Sequence, residues 1–298
     1  MGSLKEIRTR IASVTSTRQI TSAMKMVSAA KLKKAQDTIL MMRPYANKLQ
    51  EILSTLSSND DGNDNPYVRE RFAEKILIVV ITSNRGLCGA FNANVIKLAL
   101  QIAGEKYGRQ LEEGKVRFMP IGRKASDFFS KKNYAVVTDN YNHLLDHGTF
   151  EKTAPAAQMM MNGFLDGTYD RIEIVYNQFK NAGVQITTNE QFLPIPKLPK
   201  EKAAKGELKP VRNDFIFEPS KELIIRELIP NSLRTQLHKA LLDSIASEHG
   251  ARMTAMHKAT DNASELIKDL RLQYNKARQA SITNEILEIV AGAEALQG

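Results

Sequence analysis

The last 68 residues of the chain, from Asn231 to Gly298, contain no proline and carry apolar side chains at helical spacing. Spacings of three and four residues place these side chains along one stripe of a helix. At a rise of 1.5 Å per residue, such a helix is ~100 Å long, which is more than one compact domain can surround. The pattern therefore predicts a second long helix that packs beside this one. The stripe consists of Leu233, Leu237, Leu241, Ile245, Met256, Ala259, Ala263, Leu266, Leu270, Ile282, Ile286, Ile289 and Ala293.

The N-terminal segment, residues 1–58, is the candidate partner helix. Ser3 and Glu6 have the spacing of a capping box, and Pro44 is expected to kink the helix. We predict an antiparallel coiled coil formed by residues 1–58 and residues 220–298, in which the longer C-terminal helix protrudes alone. The apolar series of the N-terminal helix is Leu4, Ile7, Ile11, Val14, Ile20, Met24, Val27, Leu32, Ala35, Ile39 and Met42.

The middle segment, residues 70–218, has a different periodicity. β-branched and alternating runs separated by helical stretches predict an open sheet with helices packed on it, that is, a Rossmann-like α/β domain. The expected fold class is thus α/β, with this domain between the two long helices. Strands are predicted at Ile76–Ile81, Val116–Ile121, Arg171–Phe179 and Val184–Phe192, and helices at Ala93–Ala103, Lys124–Ser130 and Phe150–Leu165.

The charge distribution predicts an acidic partner. The net charge is +9, and residues 1–58 hold ten lysines and arginines against Glu6, Asp37 and Glu51. The C-terminal 79 residues are balanced, so the N-terminal helix carries most of the excess. Such a surface attracts nucleic acid, an anionic membrane or an acidic protein.

No motif of bond-making chemistry stands out in the sequence. The loop Gly86-Leu87-Cys88-Gly89 follows a predicted strand, but it lacks the Lys-Ser/Thr ending of a P-loop and the three-glycine dinucleotide fingerprint. The five histidines have no metal-ligand spacing with carboxylate support, and Cys88 is the sole cysteine. The longest strongly apolar run, Ile76–Ile81, is much shorter than the ~20 residues that cross a bilayer. We expect neither an active site nor a cofactor, a metal or a membrane span.

Two functional alternatives remain at this level. A Rossmann-like enzyme with helical arms would bind a nucleotide as an isolated chain. A basic coiled-coil protein would bind nucleic acid with a steep salt dependence. Against the second alternative, no aromatic side chain precedes Tyr45, and the stretch Thr17–Lys31 is rich in small residues and methionine, which suits helix packing better than base stacking.

The C-terminal residues carry a specific resemblance. The stretch Ala280–Ala293 contains Ile-Thr-x-Glu, an acidic residue three positions later and Gly-Ala four beyond that, and it resembles the signature of the γ subunits of F-type ATP synthases. The stretches Ser247–Met256 and Thr17–Lys31 and the loop Ser83–Asn94 resemble the same family. So do Ala259–Ala263 and Gly122-Arg123-Lys124, so that the similarity covers essentially the whole chain.

The resemblance implies a central rotor shaft that has no catalytic site of its own. In the family, the coiled coil stands within a ring of three αβ pairs, and the base is attached to the ε subunit and the c ring. Proton-driven rotation of the c ring is thereby coupled to ATP synthesis at the β subunits. Neither nucleic acid nor direct nucleotide binding is expected. Peripheral association with the cytoplasmic side of the inner membrane is implied, and the start at Met1 without a transit peptide suggests a bacterial form.

The resemblance also assigns residues to interfaces. By motif position, Arg278, Gln279, Thr283 and Glu285 correspond to upper contacts with the α and β subunits. Met24, Lys25 and Arg252 correspond to lower contacts, near an acidic lever of β. Phe215, Phe217 and Glu218 correspond to the foot near ε and the c ring, although the family often has tyrosine at the two phenylalanine positions.

Overall fold

The computed structural model describes residues 4–58, 66–196 and 221–297. Seven helices and four strands are assigned in these ranges. They are α1 (Leu4–Ser58), β1 (Ile76–Ile81), α2 (Phe91–Glu105), α3 (Gly108–Glu112), β2 (Val116–Ile121), α4 (Arg123–Lys131), α5 (Leu144–His147), α6 (Phe150–Leu165), β3 (Arg171–Asn181), β4 (Val184–Leu193) and α7 (Lys221–Gln297). The two long terminal helices and the central α/β arrangement confirm the predicted fold class.

Both terminal helices run through their prolines. Pro44 lies inside α1, which continues to Ser58, and Pro230 lies inside α7. Helix α7 is therefore continuous from Lys221 across Pro230. Residues on both sides of Pro230, including Ile229 and Leu233, are buried. We infer that packing of the flanking turns compensates for the hydrogen bond that proline removes.

The chain forms two compact units. One consists of residues 1–29 and 252–298, and the other consists of residues 30–251. The larger unit contains a four-stranded sheet in the order β2-β1-β3-β4. Strand β1 pairs in parallel with β2 and β3, and β4 is antiparallel to β3 at one edge.

The sheet is covered on both faces, which explains the unbroken apolar run of β1. Ile76, Ile78 and Val80 face a core shared with α2 and α4. Leu77 and Val79 face a second core shared with α6 and with residues 229–241 of α7. Because α7 contributes to this second core, the base of the long helix is part of the α/β domain.

The β3–β4 hairpin extends beyond its neighbouring strand. β1 pairs with β3 from Arg171 to Val175, whereas β3 itself continues to Asn181. The tip of this hairpin reaches α7 at Gly250, where an added Cβ would lie 3.0 Å from the carbonyl oxygen of Ala182. A glycine inside a long helix favours a close approach of another element at that position. The close approach exists, and its partner is the hairpin turn.

Candidate functional site

The smaller unit is an antiparallel pair of helices, formed by the first part of α1 and the last part of α7. The hydroxyls of Thr21 and Thr260 lie 2.8 Å apart, and the Arg8 guanidinium donates to the Tyr274 hydroxyl at 2.7 Å. Moving thirteen residues back along α1 thus corresponds to moving fourteen residues forward along α7. These two contacts establish the antiparallel direction and the register.

The buried face of α1 differs from the predicted stripe. Ile20 and Val27 were placed on it, yet they are 59% and 57% exposed. Their neighbours Thr21 and Ser28 are buried instead. Adjacent residues point ~100° apart on a helix, so burying Thr21 turns Ile20 outward. The signal was present in the sequence as the seven-residue spacing of Val14, Thr21 and Ser28, which is the repeat of a coiled-coil seam.

Hydroxyl side chains satisfy one another or the backbone within this seam. Thr21 donates to the carbonyl of Arg18 at 3.0 Å, and Ser28 donates to the carbonyl of Met24 at 2.8 Å. The facing side of α7 buries the larger side chains of Met256, Ile267 and Leu270. Small hydroxyl side chains of α1 and larger apolar side chains of α7 are therefore buried together in this seam.

The end of α7 continues beyond its partner. In the register set by Arg8 and Tyr274, the first residue of α1, Leu4, lies opposite Arg278. Beyond that point, apolar side chains are open to solvent along the part of α7 that the structure describes. Ile282, Ile286, Leu287, Ile289 and Val290 are 47%, 55%, 60%, 71% and 48% exposed. We call residues 278–293 the tip; its apolar side chains have no covering element among the described residues.

The predicted upper-contact residues all lie on the exposed tip. Arg278, Gln279, Thr283 and Glu285 are exposed, and they span about two helical turns. Thr283 donates to the carbonyl of Gln279 at 2.9 Å, and Ser281 donates to the Glu285 carboxylate at 3.3 Å. These bonds are local to the helix, so the guanidinium of Arg278 and the amide of Gln279 remain accessible to a partner.

The predicted lower-contact residues have different environments. Met24 and Lys25 are half-buried, whereas Arg252 is only 7% exposed. Arg252 therefore interacts mainly within its own chain. The predicted foot residues Phe215, Phe217 and Glu218 lie outside the described residues.

The carboxyl edge of β1 and β2 is the place where an α/β domain would bind a phosphate. Here the backbone amides at the start of α4 have partners within the protein. Gly122 N–H donates to Asn142 Oδ1 at 2.8 Å, and Arg123 N–H to Asn84 Oδ1 at 3.1 Å. The next two amides, of Lys124 and Ala125, donate to Ser83 O at 3.2 Å and Thr82 Oγ1 at 3.0 Å. An anion at this helix end would have to displace these acceptors.

Gly122 has a steric role at this edge. Its φ is +117°, and an added Cβ would lie 2.5 Å from the carbonyl oxygen of Thr82. The loop Gly86–Gly89 is likewise held internally, because Asn92 Oδ1 accepts from Ser83 N–H at 2.9 Å and Asn92 Nδ2 donates to Ser83 Oγ at 2.8 Å. Both glycine-containing motifs thus serve the packing of the domain.

The most deeply buried ionised group of the domain is Glu173 on β3, which is fully buried. Its carboxylate accepts hydrogen bonds from Lys106 and Tyr107 at the end of α2, from Arg171 at 3.1 Å and from Asn189 at 2.8 Å. Burial by itself raises the pKa of Glu173, but the hydrogen bonds from Lys106, Tyr107 and Asn189 outweigh burial and hold that pKa below its usual value. Sequence reasoning missed this cluster, because its members are far apart along the chain.

Two further properties of the described residues concern membranes and metal ions. No helix in ranges 4–58, 66–196 and 221–297 combines the length and apolar character needed to cross a bilayer. Within the same ranges, histidine, cysteine and carboxylate side chains form no group of three or more that could hold a metal ion.

Comparison with known proteins identifies the family. The sequence model of the family described as ATP synthase matches residues 3–296. A protein of Flavobacterium psychrophilum named ATP synthase gamma chain is 57% identical over 299 residues, and the alignment covers all of both chains. A protein of Geobacter metallireducens with the same name is 45% identical over 298 residues, again with both chains covered completely.

Solved structures show the same fold. A chain of the Euglena gracilis mitochondrial ATP synthase (OSCP/F1/c-ring) has a TM-score of 0.65 at 22% identity, covering 98% of this chain and 94% of its own length. A chain of the Tetrahymena thermophila ATP synthase central stalk and c ring has a TM-score of 0.56 at 24% identity, covering 80% of this chain and 99% of its own. From the matched family model and the full-length relatives, the chain belongs to the ATP synthase gamma chain family.

Proposed function

We propose that this chain is the central rotor shaft of a bacterial F-type ATP synthase and couples proton-driven rotation to ATP synthesis without catalysing either step. The observation that carries the proposal is the tip, where α7 continues past its partner helix with apolar side chains exposed. A solvent-exposed apolar helix of this kind is stable in an assembly that surrounds it. The relatives named ATP synthase gamma chain support the identity of that assembly.

The segments have separate tasks in this proposal. Residues 1–58 and 220–298 form the shaft, which stands inside a ring of three α and three β subunits. Residues 70–218, with residues 229–241 of α7 packed on their sheet, form the base, which joins the ε subunit and the c ring at the cytoplasmic side of the inner membrane. The solved structures with this fold, which include a c-ring assembly and a central stalk, support the division.

Coupling in such a device depends on asymmetry and not on chemistry within the shaft. A coil that presses on one β subunit favours one conformation of that subunit, and rotation transfers the same bias to the next. Arg278, Gln279, Thr283 and Glu285 are the proposed upper contacts with α and β. Met24 and Lys25 are proposed lower contacts, and buried Arg252 acts there mainly by positioning its own helix. Phe215, Phe217 and Glu218 are the proposed contacts with ε and the c ring.

A phosphate-binding role of the α/β domain is not favoured. The amides that would cradle a phosphate at α4 already donate to Asn142, Asn84, Ser83 and Thr82. The excess positive charge of α1 is accounted for by an acidic partner surface on β, without nucleic acid.

Co-expression with α and β subunits of a close relative tests the proposal. We expect the three chains to co-purify and hydrolyse ATP, and a bead attached to the base to rotate during hydrolysis. Truncation after Tyr274, which removes the tip, should weaken co-purification. A complex that assembles and hydrolyses ATP equally well without this chain, and shows no rotation with it, would overturn the proposal.

A further inference from the structure

The turn of the β3–β4 hairpin makes a close backbone contact with helix α7 at Gly250, beyond the apolar core that the sheet and α7 share. Beyond Val175 the hairpin has no β1 residue beside it, so it projects as a two-stranded ribbon. A ribbon of this kind is marginally stable unless something anchors it. Its turn rests on α7 at Gly250, a position that is buried and where an added Cβ would lie 3.0 Å from the oxygen and 3.3 Å from the Cα of Ala182.

The turn itself is held in one geometry. The side-chain oxygen of Asn181 accepts from the backbone amides of Gly183 at 3.0 Å and Val184 at 2.8 Å. Gln185 donates to the carbonyl of Ala182 at 3.2 Å, which fixes the same carbonyl that faces Gly250. The part of the ribbon that touches α7 is therefore preorganised.

The ribbon is also anchored to the rest of the domain. Midway along it, Asn177 donates to the carbonyl of Phe91 at the start of α2 at 3.0 Å and accepts from Thr187 across the ribbon at 2.9 Å. Nearer its base, the Tyr176 hydroxyl donates to Glu190 at 2.6 Å. At the base, Glu173 connects β3 to Lys106 and Tyr107, which directly follow α2, and to Asn189 of β4.

Gly250 lowers the local stability of helix α7, and the contact with Ala182 explains why a glycine stands there. Glycine inside a helix is less favourable than alanine by about 1 kcal/mol. Alanine at this position would need the turn to move, because 3.0 Å is closer than an ordinary van der Waals contact between a carbon and an oxygen. The backbone of α7 and the backbone of the turn thus touch with no side chain between them.

We propose that the β3–β4 ribbon is a strut that transmits torque between the α/β domain and helix α7 through the Ala182–Gly250 contact. This inference rests on the proposed function as a rotor shaft. A direct contact between two backbones has a lower compliance than a contact through flexible side chains, so it transmits load with less displacement. The strut would keep α7 from twisting against the sheet when the base is driven.

The test uses the assembled ATP synthase, with a bead attached through a cysteine introduced at exposed Lys131 on α4. Cys88 is buried, so labelling would be directed to the new thiol. The variance of the bead angle during catalytic pauses reports the torsional compliance of the chain. The ratio of protons pumped to ATP hydrolysed reports coupling under load.

Two variants approach the contact from opposite sides. Gly250→Leu drives the turn away from α7, whereas Asn181→Ala loosens the turn and leaves α7 unchanged. Both should increase the angular variance and lower the pumping ratio at high proton-motive force, while ATP hydrolysis without load stays near the parental rate. Gly104→Ala is the matched control, because Gly104 lies inside α2 with no atom within 4 Å of an added Cβ.

The outcomes separate the strut from the rotor. If the parental bead does not rotate, the proposed function fails. If the parental bead rotates but Asn181→Ala and Gly250→Leu leave both the variance and the ratio at the values of Gly104→Ala, the strut is wrong. If Gly250→Leu prevents assembly, the angular variance and the pumping ratio of Asn181→Ala and of the milder Gly250→Ala test the strut instead.

Discussion

The side-chain hydroxyls of Thr21 and Thr260 meet at 2.8 Å in the buried seam between the two antiparallel helices. Thr21 uses its own proton on the carbonyl of Arg18, so Thr260 is the donor between the two threonines. Thr260 also lies 2.8 Å from the carbonyl of Met256, which gives its proton a second acceptor on its own helix. The hydrogen bond from Thr260 to Thr21 therefore joins the two helices. Without it, the Thr260 hydroxyl could still donate to the carbonyl of Met256 on its own helix.

This arrangement predicts a small effect for isosteric loss of the hydroxyl. Thr21→Val should destabilise the chain by about 1 kcal/mol or less, because Thr260 can turn its proton to Met256. Thr21→Leu should be worse, since Thr21 is buried and a longer, apolar side chain would overpack the seam. Chemical unfolding measures both, and the exposed Thr17→Val is a control that should be neutral. Equal losses for Thr21→Val and Thr21→Leu would contradict the close-packed seam.

Glu173 predicts a pH dependence of stability. Because the pKa of Glu173 is lower in the folded protein than in the unfolded chain, its contribution is fully present above the unfolded pKa of about 4.3. The contribution is lost as the pH falls through the lower, folded pKa. Glu173→Gln should lower the free energy of unfolding by about 3 kcal/mol at pH 7, as expected for breaking a buried ion pair.

Unfolding curves of the parent and Glu173→Gln at pH 7 and at decreasing acidic pH values provide the measurement. The difference between them should shrink as Glu173 becomes protonated. Glu105→Gln is the matched control, because Glu105 is exposed at the end of α2. A difference that stays constant from pH 7 into the acid range would show that the charge of Glu173 is not what stabilises the cluster.

The closed start of α4 predicts that the isolated chain neither binds nor hydrolyses ATP. Binding there would break the hydrogen bonds that Asn142 and Asn84 make with the amides of Gly122 and Arg123. Calorimetric titration with ATP and Mg²⁺ should show no heat of binding, and purified chain free of β subunit should show no turnover. Saturable binding that Asn84→Ala alters would contradict this account of the loop.

The tip residues predict a loss of rate without a loss of coupling. Thr283→Ala and Gln279→Ala remove polar groups from the proposed upper contact, and each such bond is worth ~1.5–3 kcal/mol when the partner is charged. ATP hydrolysis by the complex should fall, whereas protons pumped per ATP should remain near the parental value. Thr283→Ser retains the hydroxyl and should keep the rate. A pumping ratio abolished by Thr283→Ala would show that the tip bonds themselves carry the coupling.

Softening the shaft should have the opposite effect. Ile267 and Leu270 are 5% and 3% exposed on the buried face of α7. Replacing both by glycine removes their packing and loosens the helix, so protons pumped per ATP should fall while hydrolysis continues. Glycines at exposed Lys268 and Asp269 form the control for backbone flexibility alone. A pumping ratio preserved in the Ile267 and Leu270 variant would contradict a stiff-shaft mechanism.

Local pattern was enough to predict most elements of the fold. The strands Ile76–Ile81 and Val116–Ile121 and the helix Phe150–Leu165 have the predicted boundaries. Periodicity succeeds for these elements because the alternation or continuity of apolar side chains depends on neighbours within the same segment. The two long helices were predicted in the same way. An apolar stripe along a helix of that length is buried when a second long helix packs beside it.

The buried face of α1 was harder to predict. Apolar character alone favoured Ile20 and Val27, and the structure buries Thr21 and Ser28 in their place. Which residue of an adjacent pair faces inward depends on how closely the partner helix approaches. The approach distance depends on the side chains of α7, so hydrophobicity along α1 could not settle it.

The sequence by itself determined most of the secondary structure, the long terminal helices and, through the motif at Ala280–Ala293, the family. Only the tertiary structure decided that Gly250 faces the turn of a hairpin and that Glu173 gathers Lys106, Tyr107 and Asn189 around a buried charge. These contacts join residues separated by 16 to 67 positions or by the whole length from the hairpin to α7. Their geometry depends on the packing of complete elements, because a side chain's own sequence neighbours do not specify which distant backbone it will meet.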